Sequence, residues 1–104
     1  MHAVGIGQRQ LVGNFPNMTF SPRFSPDGKT ILYSMAVAGN TDIYKISADG
    51  GSPQRLTSGP GIDTGGSFSP DGSKIVFESD RSGGQQLYVM NADGSVKDPV
   101  WQAP

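Results

Sequence analysis

Phe24-Ser25-Pro26-Asp27-Gly28 returns 44 residues on as Phe68-Ser69-Pro70-Asp71-Gly72. The same offset pairs Ile31 with Ile75, Leu32 with Val76, Tyr33 with Phe77, Ile43 with Leu87, Tyr44 with Tyr88 and Ile46 with Met90. It also pairs Ala48-Asp49-Gly50 with Ala92-Asp93-Gly94. Over Phe24–Gly50 against Phe68–Gly94, eleven of 27 positions are identical without a gap. One register kept through two turns and the apolar runs between them marks an internal repeat, and a period of this length marks an array of supersecondary units.

Each unit reads as strands. Pro26-Asp27-Gly28 is a turn in which Pro presets φ, Asp bonds its own backbone and Gly accepts a positive φ. A short strand ends near Phe24. After the turn, Thr30-Ile31-Leu32-Tyr33-Ser34-Met35 is a mostly apolar run, as expected of a strand buried on both faces. Gly39-Asn40 breaks it, Asp42-Ile43-Tyr44-Lys45-Ile46 alternates, Ala48-Asp49-Gly50-Gly51 turns again, and Gln54-Arg55-Leu56-Thr57 closes the unit. Four short strands in one period are the mark of a β-propeller blade. The fold class expected is all-β, with blades of four antiparallel strands and two blades per chain. A small sandwich or barrel also has frequent turns, but it does not require a long-period repeat. No stretch carries a 3.6-residue apolar pattern, so helix is excluded.

The totals narrow the function. The 104 residues carry 8 Lys plus Arg and 9 Asp plus Glu, a net charge of −1. That balance lacks the basic footprint of a nucleic-acid binder or of a polybasic membrane surface. The 15 Gly and 8 Pro, about a fifth of the chain, fit many turns between short strands. No apolar run approaches a membrane-spanning length, so no membrane insertion is expected. The N-terminal Met-His-Ala-Val-Gly-Ile-Gly has no charged region followed by an apolar one, so no signal peptide is expected in this chain.

Catalytic and metal chemistry find little support. There is no Cys, hence no disulfide and no thiolate ligand, and the single His, His2, is terminal. No Gly-x-Ser-x-Gly elbow occurs. Asp27-Gly28 and Asp71-Gly72 lack calcium-loop spacing and read as turn residues. They also lack the one-residue spacer of a sialidase Asp-box. Glu78, Asp80 and Arg81 stand where the first unit has Ser34, Ala36 and Val37, and read as an Asp-Arg pair capping a loop. Phe24, Phe68, Tyr33, Phe77, Tyr44 and Tyr88 recur at repeat positions and are expected in the core. Phe20 follows the period less well and is expected near a loop. The chain is therefore expected to be a non-enzymatic scaffold with no cofactor and no metal.

The strings Phe-Ser-Pro-Asp-Gly, Asp42-Ile43-Tyr44, Gln86-Leu87-Tyr88, Ala-Asp-Gly and Gln54-Arg55-Leu56-Thr57 resemble the Pro-Asp-type repeat of the TolB propeller family. Ser79-Asp80-Arg81-Ser82-Gly83-Gly84 and Gly7-Gln8-Arg9-Gln10-Leu11-Val12 extend the resemblance over nearly the whole chain. Propellers of serine oligopeptidases carry similar repeats, so a propeller piece of an oligopeptidase is an alternative, as is an engineered fragment that only self-associates. The resemblance implies a non-catalytic binding scaffold of the bacterial cell envelope, periplasmic in the parent family, with the peptidoglycan-associated lipoprotein Pal as partner. Contacts of that kind fall on the stretches entering the innermost strands, 15–21 and 58–66, at Met18, Thr19, Ser21, Ile62, Asp63 and Thr64.

It also implies six blades, of which this chain holds about two. Residues 8–13 resemble the outermost strand of a neighbouring blade. Residues 21–57 read as the first blade, and residues 66–91 as a second blade whose outermost strand is missing. Residues 96–104 read as an innermost strand of a next blade. On that reading the strand at 8–13 of one copy completes the open blade of another, and a homotrimer closes a six-bladed ring.

Overall fold

A computed structural model of the chain describes residues 17–59 and 61–100. They form eight strands: β1 Met18–Phe24, β2 Thr30–Val37, β3 Asn40–Ser47, β4 Gln54–Arg55, β5 Asp63–Phe68, β6 Lys74–Ser79, β7 Gln86–Asn91 and β8 Asp98–Pro99. They make two four-stranded sheets of order β1-β2-β3-β4 and β5-β6-β7-β8, antiparallel throughout. Consecutive strands pair with each other, as short turns require.

The repeated turn works as its residues dictate, twice over. Asp27 Oδ1 accepts from Ser25 Oγ at 2.6 Å and Lys29 N at 2.9 Å, and Gly28 sits at φ 74°. Asp71 Oδ1 accepts from Ser69 Oγ at 2.8 Å and Ser73 N at 3.0 Å, with Gly72 at φ 78°. Each Ser hydroxyl also accepts the amide of the first β2 or β6 residue, Thr30 or Lys74, at 3.0 Å. The innermost strands share a defect as well. β1 bulges between Phe20 and Arg23, and β5 between Thr64 and Ser67, one period apart.

The core lies between the sheets and belongs to both. Strict alternation in β6 turns Ile75, Phe77 and Ser79 inward. With Tyr88 and Met90 of β7 they meet Leu32, Ile43 and Leu56 of the first sheet. Gly66 lets β5 approach that face closely: a Cβ there would stand 3.2 Å from Ile43 Cδ1. Phe68 and Ala92 pack at the margin, and Lys45 Nζ reaches across to the Ala92 carbonyl at 3.1 Å. Directly paired aromatics stack in each sheet, Tyr33 on Tyr44 at 5.7 Å and Phe77 on Tyr88 at 5.9 Å between centroids.

Several expectations are corrected. The second sheet does not lack its outermost strand. The Asp93-Gly94 turn reverses the chain, with Gly94 N donating to Asn91 O and Asn91 N to Ser95 O, and lays Asp98–Pro99 on the free edge of β7. Residues 98–99 are therefore outermost, not the innermost strand expected within 96–104. Their register repeats that of β4: Tyr44 pairs Arg55 and Lys45 pairs Gln54, as Tyr88 pairs Pro99 and Val89 pairs Asp98. The innermost strands begin at Met18 and Asp63, earlier than the expected 21 and 66, because the bulge carries pairing past Ser21 and Gly65. Phe24 is not in the core. It is 66% exposed, whereas its counterpart Phe68 has another sheet to pack on. The strand expected at 8–13 and residues 101–104 lie outside the described residues.

Candidate protein-binding site

The six residues singled out in the sequence fall at one end of the innermost strands, opposite the Ser-Pro-Asp-Gly turns. Met18 and Thr19 open β1, pairing with Ala36 and Met35, and Ser21 sits in its bulge. Ile62 immediately precedes β5, and Asp63 and Thr64 open it, pairing with Ser79 and Glu78. β1 and β5 are neighbours, so the two groups share one rim. These residues are placed by strands more than by loops, and positions on strands are held more tightly than positions on loops.

Met18 and Ile62 are 44 residues apart and therefore occupy the same repeat position. Both are large, apolar and open to solvent, at 62% and 43% exposure. Ile62 is braced from two sides. Its amide donates to Asp80 Oδ1 at 3.0 Å, and its carbonyl accepts from Asp80 N at 3.3 Å. On the other flank it bridges Thr41 in parallel, with Thr41 N donating to Gly61 O at 3.0 Å. Gly61 N donates to Asn40 Oδ1 at 3.3 Å. Glycine suits position 61: φ is 111°, where a side chain is strained, and a Cβ there would also displace the Asp80 carboxylate that holds Ile62. The exposed isoleucine thus stands on a fastened backbone.

Asp63 is buried, and its carboxylate accepts from Arg81 Nη2 at 3.1 Å. Arg81 also donates through Nε to Ser79 Oγ at 2.9 Å, and its guanidinium carbon lies 5.3 and 5.2 Å from the Phe77 and Tyr88 ring centres. Such a planar cation can pair and stack at once. Asp63 therefore shapes the rim from inside, while Met18, Ile62 and the half-buried Thr19, Ser21 and Thr64 form its surface. The sequence pairs Asp80 with Arg81 as a loop cap; the structure divides the task, Asp80 holding Ile62 and Arg81 holding Asp63. It misses Asn40 and Thr41, since a brace from the neighbouring sheet leaves no local pattern. The equivalence of Met18 and Ile62 could have been found by carrying the 44-residue offset back beyond Phe24. Among the described residues no group of three His, Cys, Asp or Glu could hold a metal ion.

Comparison with known proteins places this architecture. The TolB beta propeller domain family matches residues 1–102. A Tol-Pal system protein TolB from Gluconobacter oxydans (strain 621H) is 44% identical over 55 residues, 53% of this chain and 12% of that protein. Among solved structures, a TolB from Agrobacterium tumefaciens superposes with a TM-score of 0.78 at 34% identity, over 89% of this chain and 33% of its own. TolB from Acinetobacter baumannii gives 0.70 at 35% identity, over 77% of this chain and 20% of its own. A puromycin hydrolase gives 0.75 at 20% identity, a likeness of fold alone. The chain spans a third or less of the length of these relatives. With a repeat, a strand order and a family match that agree over nearly its whole length, the chain belongs to the TolB beta propeller domain family.

Proposed function

We propose that this two-blade segment is a non-catalytic protein-binding scaffold of the bacterial periplasm, and that its partner is a Pal-type lipoprotein received on the Met18–Ile62 rim. The observation that carries this reading is the pair of exposed apolar side chains at one repeat position, one of them on a backbone braced by Asp80, Thr41 and Asn40. Exposed apolar groups on a rigid frame suit a protein contact, because little side-chain or loop freedom is lost on binding. Thr19, Ser21 and Thr64 supply short polar groups around them. The Tol-Pal system name of the Gluconobacter relative supports the choice of partner.

Calorimetric titration with soluble Pal tests it. Met18→Asp and Ile62→Asp should each weaken binding at least tenfold, since a charge in a desolvated contact costs more than about 1.4 kcal/mol. Lys29→Ala, at the opposite end of the blades, should leave binding unchanged. Equal affinity of all three variants would remove the rim, and no binding by the unaltered chain would remove Pal as partner.

A further inference from the structure

A cleft opens between the two sheets at the end that carries the Ser-Pro-Asp-Gly turns, away from the Met18–Ile62 rim. Both of its walls are supplied by the paired sheets themselves, so it owes nothing to where the chain begins or ends. The two turns approach each other there: a Cβ on Gly72 would stand 3.6 Å from Pro26 Cδ. Pro26, Phe68 and Ala92 give apolar walls to a volume of about 250 Å³, and Asp27 and Asp71 line it as well. The bonds that Ser25, Lys29, Ser69 and Ser73 donate to these carboxylates all fall on Oδ1, which leaves Oδ2 of each open to a ligand. A second hollow of about 160 Å³ adjoins the first across Thr30 and Lys45. Its polar lining is the hydroxyls of Thr30, Ser47 and Ser52 and the Gln54 amide, with no carboxylate among the described residues. The two lobes together reach the lower end of the range for small-molecule pockets, roughly 300–1,000 Å³.

Lys45 stands between the lobes and lines both. It is half-buried, and of its three ammonium donors one goes to the Ala92 carbonyl at 3.1 Å. Among the described residues it makes no ion pair; the pairs formed are Arg55–Asp42 and Arg81–Asp63. Asp93 feels its charge, but that carboxyl is held low first by the bonds from Ser95. Lys29, whose charge acts on Asp27, is exposed and lines neither lobe. The blade itself does not call for a lysine at this place, since Val89 stands there one period on. We propose that the two lobes form a binding site for a small zwitterion of dipeptide size, its ammonium between Asp27 and Asp71 and its carboxylate on Lys45 and the hydroxyls of Ser47 and Ser52. Hydrogen bonds between ionised groups are the stronger kind, and the apolar walls of Pro26 and Phe68 receive the side chains. An anion alone would meet the two aspartates and a cation alone would meet Lys45, so the site selects a ligand that carries both charges. This reading stands apart from the rim, which lies at the other end of the strands.

Titration of the isotopically labelled 104-residue chain with alanyl-alanine, followed by amide chemical shifts, tests the proposal. Shifts should saturate and should concentrate at Lys29, Thr30, Lys45, Ser52 and Ser73, leaving Met18 and Ile62 unmoved. N-acetyl-alanyl-alanine, which lacks the ammonium, and alanyl-alanine amide, which lacks the carboxylate, should each bind at least tenfold more weakly. Lys45→Met keeps the stem and removes the charge; it should weaken the dipeptide at least tenfold and bind the dipeptide and its amide alike. A purely structural lysine would not erase that difference. Should Lys45→Met disturb the spectrum as a whole, the two capped ligands on the unaltered chain still decide. Shifts that never saturate would overturn the proposal. So would equal binding of the free and capped dipeptides, which would mean an apolar cleft without charge recognition, or a folded Lys45→Met that still prefers the free acid to the amide.

Discussion

Ser21 occupies, at φ 56°, the bulge position that Gly65 fills at φ 69° in the second sheet. A side chain in the left-handed region costs about 1 kcal/mol, and glycine adopts it freely. Ser21→Gly should therefore stabilise the chain by about 0.5 kcal/mol, the relief of strain outweighing the added freedom of the unfolded chain, and urea unfolding at constant m-value would show it. Asp71 gives a second residue-scale expectation. Bonds from the Ser73 amide, the Ser69 hydroxyl and the Ser73 hydroxyl hold its carboxyl down at about 2, against an ordinary 3.8. The folded chain thus favours the ionised form, and the contribution to stability is present above about pH 4 and lost as pH falls through about 2. Asp71→Ala should unfold at lower urea than the unaltered chain at pH 7, and the gap should close between pH 4 and pH 2. Asp27, bonded by Ser25 and Lys29, is shifted in the same direction. Both turns could be read directly from Ser-Pro-Asp-Gly, because every group the turn needs lies within five residues. The strain at Ser21 could not, because nothing local calls for a bulge there.

β4 shows how little backbone an outer strand needs. Its two residues pair with β3, and side chains do the rest. Asp42 on β3 is buried, forms an ion pair with Arg55, and accepts from Thr57 Oγ1 at 3.1 Å; Thr57 Oγ1 in turn accepts the Ile43 amide at 3.0 Å. Removing a buried acceptor leaves its donors unsatisfied. Asp42→Ala should destabilise the chain by about 2 kcal/mol in denaturant unfolding, the exposed half of Arg55 keeping the loss below that of a fully buried pair. A cost within error of zero would mean that backbone pairing with β3 and the packing of Leu56 hold β4 without Asp42. The strands β2, β3, β6 and β7 were legible as apolar runs between turns. β8 was not, since Asp98-Pro99 shares no residue with Gln54-Arg55 and only the apolar Val100 answers to Leu56. The constant offset of 44 would have placed it, but register without similarity is easily abandoned at a turn.

At the scale of the whole molecule, neither sheet owns a core. Phe77 is fully buried among residues of both sheets, so Phe77→Ala should cost about 3–5 kcal/mol, and the loss should be shared. Amide hydrogen exchange would show protection falling together in β2–β3 and β6–β7. Unchanged exchange in β2–β3 would contradict a common core. The sequence was enough to establish the repeat, the strands and the turn chemistry, because these depend on neighbours along the chain and on a period of two. Burial at repeat positions was decided only in three dimensions. Leu32 and Val76 read alike, as do Phe24 and Phe68, yet one of each pair is covered and the other is open, because an identical face is buried only where a second sheet meets it. The same holds for the rim: Asp63 and Ile62 are adjacent in sequence, and folding turned one inward to Arg81 and left the other facing solvent.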